Sequence, residues 1–131
     1  MKKKILLACL VTVISTPSAY SYTGACNGGT IIENTAGTTF CKSNVPMNWW
    51  SAQAWCQANG SRLATIYEMC PSWDGNSGYN KCPELNGKGT GNAWSATANG
   101  SDYAFCARLH DGRLDGDTPR NNSSGPYAFC R

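Results

Sequence analysis

Asn48-Trp49-Trp50-Ser51-Ala52-Gln53-Ala54-Trp55-Cys56-Gln57-Ala58-Asn59-Gly60-Ser61-Arg62-Leu63-Ala64-Thr65-Ile66 carries the best-defined local pattern in the chain. Trp49, Ala52 and Cys56 recur at i, i+3 and i+7, which puts them on one face of an α-helix. Asn48 has a side-chain oxygen able to accept from the free N–H groups of a first turn. Gly60 suits the left-handed position just past a helix C-terminus. A helix of about three turns is marginal alone and needs packing and a covalent tie to persist. Trp50 falls on a neighbouring face, so one of the two adjacent rings is expected to be the more exposed. Arg62 to Ile66 then alternates like a short strand or extended segment.

Upstream, Cys26 to Cys41 holds two β-prone runs, Thr30-Ile31-Ile32 and Thr38-Thr39-Phe40, around the turn residues Asn34 to Gly37. This reads as a hairpin-like arm closed by a Cys26–Cys41 bridge. Downstream, residues 71–92 (PSWDGNSGYNKCPELNGKGTGN) form a Gly/Asn-rich loop longer than a small domain usually tolerates without a function or a staple. Cys70 and Cys82 can supply the staple. The last third is β: Ala93–Thr97, then Tyr103–His110 with Tyr103, Phe105, Ala107 and Leu109 on one face. A tight turn at Asp111-Gly112, a return at Arg113-Leu114 and a closing Tyr127–Arg131 complete it.

At the other end, Lys2-Lys3-Lys4 precedes the apolar run Ile5–Ile14, and small residues follow up to Ala19-Tyr20-Ser21. That layout predicts a secretory signal peptide over residues 1–21, followed by one domain over 22–131. The apolar run is half of what a bilayer span needs. It also continues past Cys9, which favours ordinary cleavage after Ser21 over lipidation at that cysteine. Taking 21 residues and three Lys from the 131 residues and 11 Lys/Arg leaves 110 residues with eight Lys/Arg against eight Asp/Glu. The net charge of +3 therefore belongs to the discarded segment. A neutral chain with singly scattered basic residues argues against nucleic acid or an anionic membrane as partner. The predicted location is secreted, periplasmic or at the cell surface.

Without Cys9 there are seven cysteines, 26, 41, 56, 70, 82, 106 and 130, which in an oxidising compartment read as a disulfide framework. No two are spaced for zinc and His110 is the only histidine, so neither a metal site nor a cofactor is expected. Seven thiols leave one odd, and spacing does not settle which pairs form.

The pattern W-x-x-A-x-x-x-C-x-x-x-G-x-x-L-A-x-I at Trp49, Ala52, Cys56, Gly60, Leu63, Ala64 and Ile66 resembles the first helix and following segment of a C-type lectin-like domain. Tyr127-Ala128-Phe129-Cys130-Arg131 resembles that fold's final strand. The resemblance covers residues 38–68 well and 93–131 more loosely. It implies an α+β fold, with one or two helices on a small antiparallel sheet, and a Cys56–Cys130 bridge tying helix to end. With Cys26–Cys41 and Cys70–Cys82, that leaves Cys106 unpaired. The chain lacks the Glu-Pro-Asn or Gln-Pro-Asp triplet and the Trp-Asn-Asp strand that carry calcium-dependent sugar binding in the family. Short variants of this kind occur in bacterial surface proteins as recognition scaffolds.

No catalytic constellation stands out. Asp111, Asp115 and Asp117 fall in a turn and polar loop whose order does not match a calcium loop. Cys106 and His110, four apart on a strand, would lie about 13 Å apart. The best ligand-binding candidates are Trp73, Asp74, Asn76, Tyr79 and Asn80, which interleave flat rings and short polar groups on the long loop. The competing reading has Trp73 folding back as a plug over the core. The sequence thus predicts a non-catalytic module for an extracellular glycan or protein. The alternative is a structural or adhesive subunit of a surface assembly, with Cys106 available for a disulfide-linked dimer.

Overall fold

The computed structural model describes residues 20–131, and the proposed signal peptide lies outside them except for Tyr20 and Ser21. The carbonyl of Tyr20 accepts from the Thr39 N–H at 2.9 Å, and that of Ser21 from the Arg131 guanidinium at 3.0 Å. In chain order the elements are β1 (Gly29–Glu33), β2 (Thr39–Pro46), α1 (Trp49–Ala58), α2 (Ile66–Met69), a 3-10 turn at Pro83–Leu85, β3 (Asn92–Asn99), β4 (Tyr103–Arg108), β5 (Leu114–Pro119) and β6 (Pro126–Cys130). Among the described residues the fold is α+β, with two helices, one six-stranded sheet and three disulfides. No helix among the described residues is long and apolar enough to cross a membrane.

The sheet runs β1-β2-β6-β3-β4-β5 and is mixed, which corrects the expectation of a purely antiparallel sheet. The closing strand β6 inserts at the centre, antiparallel to β2 (Cys41 opposite Cys130) but parallel to β3 (Asn92 opposite Pro126). The two parallel strands stay paired only over Asn92–Ala93. Beyond that the extended residues 62–64 fill the gap: Leu63 bridges to Cys130, the Ala64 N–H donates to the Phe129 carbonyl at 2.9 Å, and the Ala96 N–H donates to the Ala64 carbonyl at 2.7 Å. The segment read as extended therefore works as a short splint between two strands.

Both sheet faces are covered, and alternation along each strand sorts its side chains between two cores. One core sets Phe40, Ala93, Ala107, Leu114 and Phe129 against Ile66 and Met69 of α2 and against Leu85. The other sets Trp94, Ala104, Cys106 and Ala128 against Ala52 and Cys56 of α1. Phe40 and Phe129 stack across β2 and β6 with ring centroids 4.6 Å apart. Trp94, fully buried, satisfies its indole N–H on the Met47 carbonyl at 2.7 Å, as a buried ring donor must.

Local chemistry sets the helix ends. Asn48 accepts from the Ser51 N–H at 2.8 Å, and Gly60 follows the Asn59 cap with φ +74°. At α2 the sequence Thr65-x-x-Glu68 is a reciprocal capping box. The Thr65 hydroxyl accepts from the Glu68 N–H, and the Glu68 carboxylate accepts from the Thr65 N–H. Burial of Glu68 works against its ionised form, but bonds from Arg62 and Thr65 outweigh it and hold its pKa below the usual value. The bridges join Cys26 to Cys41, Cys56 to Cys130 and Cys70 to Cys82. Cys106 is unpaired and 2% exposed, and burial pushes its thiol up to about 12. A dimer bridged through that sulfur would require β4 to open.

Candidate functional site

The long loop begins where α2 ends, and the Cys70–Cys82 bridge closes its first half. Inside that ring Trp73 turns inward. Its indole packs edge-on against Phe105 (centroids 5.2 Å) and tilts against Tyr67 (5.1 Å), half-buried on the first core. Its Nε1–H donates to the Asn76 carbonyl at 2.9 Å, so the ring also shapes the loop that carries it. The loop is tied to the sheet at further points. Gly78 and Leu114 exchange backbone hydrogen bonds at 2.8 and 3.0 Å, and the Cys82 N–H donates to the Gly112 carbonyl at 2.9 Å. Gly112 has φ +69°, and a Cβ there would collide with the Cys82 carbonyl, so this approach requires glycine.

Of the five residues singled out in sequence, Trp73 thus serves as the plug. Asp74 and Asn76 serve the loop itself: Asp74 accepts from the Asn76 N–H at 3.0 Å and from the Lys81 ammonium at 2.7 Å. The lysine lowers the pKa of Asp74, with a smaller contribution from the Asn76 N–H. Tyr79 and Asn80 point to solvent. Tyr79 is 66% exposed, and Asn80 adopts a left-handed φ of 54°, a conformation Asn tolerates better than most residues.

Tyr79 does not stand free. The Arg113 guanidinium lies 4.6 Å from its ring centroid and that of Arg108 5.9 Å. Each arginine is held by a carboxylate, Arg108 by Asp111 through two bonds and Arg113 by Asp115 at 2.9 Å. The Arg108 guanidinium holds Asp111 down to about 2. Asp111 and Asp115 therefore serve as partners for arginine, and the two arginines they hold lie against the tyrosine ring. The alternating charge of R-x-x-D-x-R-x-D at 108–115 is a signal in the sequence that the reading of this stretch as a turn and polar loop passes over. Its relation to Tyr79 depends on the Gly78–Leu114 bridge, which no local pattern announces. His110 is exposed in the turn that follows β4, while Cys106 is buried within that strand.

A second surface forms where the N-terminus of α1 meets the β3–β4 hairpin. Trp50 is 52% exposed and stands edge-on to Trp49, the more buried of the pair. Trp49 donates its indole N–H to the Ser95 carbonyl at 2.9 Å and lies beneath the Arg120 guanidinium at 4.5 Å. No family model, no curated protein and no solved structure matches the chain.

Proposed function

We propose that the protein is an exported, non-catalytic recognition module built on a compact C-type lectin-like fold, binding a glycan or protein ligand outside the cell without a calcium site. The observation that carries this reading is Tyr79, an exposed ring on a loop held by a disulfide, an anchoring tryptophan and a strand-like bridge. A ring whose position is already fixed loses little conformational freedom on binding, which is why rigid aromatic groups serve well as contact anchors. Asp74, Asn76 and Asn80 beside it offer short polar groups for hydrogen bonding. The lectin-like assignment is supported by the Cys56–Cys130 bridge from α1 to the terminal strand. An oxidising compartment is supported by three bridges in one small chain.

The alternative of a structural subunit has its own observation. Ile31 and Val45 are exposed large apolar residues on β1 and β2, and β1 is an edge strand among the described residues. Arrays of glycans, peptides and surface proteins probed with the exported protein test the main reading. At least one saturable partner is expected. Silence across the arrays, together with hydrolysis of an array component, would overturn it.

A further inference from the structure

The corner beneath Trp50 holds a concavity of about 240 Å³ lined by Trp50, Ser101, Asp102, Tyr103, Pro119 and Asn121, none of them part of the Tyr79 surface. That volume is below the roughly 300–1,000 Å³ of pockets that enclose a whole small molecule. It suits one side chain entering from a larger partner. Two rings flank it, Trp50 and Tyr103, the latter 43% exposed.

The charge arrangement selects what enters. Glu68, Asp74, Asp111 and Asp115 each form an ion pair within the protein. Asp102, like Glu33, Glu84 and Asp117, forms none among the described residues, although Arg120 lies in the same corner. The Arg120 guanidinium is committed elsewhere: it donates to the carbonyls of Gly100 at 2.6 Å and Tyr103 at 3.1 Å and covers the Trp49 ring. The Arg120 N–H donates to the Asp102 carbonyl at 3.0 Å, and the Trp49 N–H donates to the Arg120 carbonyl at 2.9 Å. Helix start, hairpin tip and the β5–β6 connection are thereby locked together, and the Asp102 carboxylate is left without an internal cation.

We propose that this concavity binds the cationic end of a lysine or arginine side chain presented by a protein or peptide partner. Aromatic faces attract cations through the ring quadrupole. A carboxylate beside them adds a charge-assisted hydrogen bond. The site is distinct from the Tyr79 loop and does not depend on that loop binding anything.

The test uses isotope-labelled exported protein titrated with acetyl-Gly-Gly-Lys-Gly-Gly-amide, with the same peptide carrying norleucine in place of lysine, and with glucose and N-acetylglucosamine. The lysine peptide should shift the Trp50 indole N–H and the amides of residues 101–103 saturably, with a Kd on the order of 1 mM. The norleucine peptide should not. Asp102→Asn keeps the hydrogen-bonding shape but removes the charge, and should weaken lysine binding at least fivefold while leaving the melting temperature unchanged. Tyr79→Ala should leave lysine-peptide binding at this corner untouched. Equal shifts from both peptides, an indifferent Asp102→Asn, or shifts from the sugars but not the lysine peptide would each overturn the proposal.

Discussion

Replacing Trp73 by alanine separates the two roles that the long loop assigns to its aromatic residues. Truncating a fully buried tryptophan costs about 3–5 kcal/mol. Trp73 is only half-buried, so about half of that, ~2 kcal/mol, is the expected loss from burial and from its edge-on contact with Phe105. For a domain of this size that corresponds to a fall in melting temperature of roughly 8 °C. Tyr79→Ala removes a ring that is 66% exposed and gives up mainly its contact with Arg113, so it should cost less than about 1 kcal/mol. Thermal unfolding followed by circular dichroism, with the bridges intact, compares the two directly. A Trp73→Ala protein that melts within 2 °C of the parent, or a Tyr79→Ala protein that falls as far as Trp73→Ala, would refute the division into anchor and displayed ring.

Other consequences follow from the bridges and the charges. The Cys56–Cys130 bridge closes a separation of 74 residues, against 15 and 12 for the other two. On the chain-entropy model its removal as Cys56→Ala/Cys130→Ala should cost about 4 kcal/mol, and each of the others about 3 kcal/mol. Equal denaturant midpoints for all three variants would contradict that ranking. In protein made without residues 1–21, Cys106, buried and with its thiol raised to about 12, should resist iodoacetamide at pH 8 in the native state and yield one modified thiol after unfolding without reductant. Rapid native labelling, or a dimer on a non-reducing gel, would show that β4 opens. Asp111 is held down to about 2, so its pairing with Arg108 supports the fold above its unfolded pKa of about 3.9 and is lost as pH falls from there through about 2. Carboxyl titration by NMR should find that low midpoint, and Arg108→Gln should raise it towards the ordinary value.

Much of the architecture was legible where physics is local. Asn48 and Gly60 bracket α1 because capping needs only neighbouring residues, and the arm Cys26–Cys41 follows from turn residues between two β-prone runs. The same local signal was present at Thr65-x-x-Glu68, yet the segment read as extended through Ile66. Only its first half is extended, because Leu63 and Ala64 pair with β6 before Thr65 caps α2. The return strand expected at Arg113-Leu114 continues as edge strand β5 through Pro119, although its Asp and Gly content reads as polar loop, because β4 offers it a ladder. The parallel pairing of β3 and β6 joins residues some thirty positions apart and leaves no periodic trace. At the candidate site the residue types were legible but their directions were not. Nothing in Trp73–Asn80 says that the tryptophan turns in and the tyrosine out until Phe105 and Tyr67 are placed beneath the ring.

If the stapled loop presents Tyr79 as a ligand contact, hydroxyl-radical footprinting of the protein saturated with an array-identified partner will detect it directly. Strong protection of Tyr79, little change at Trp73, and loss of the protected complex in Tyr79→Ala are expected. Full reactivity of Tyr79 in the saturated complex, with protection confined to other faces of the domain, would contradict it.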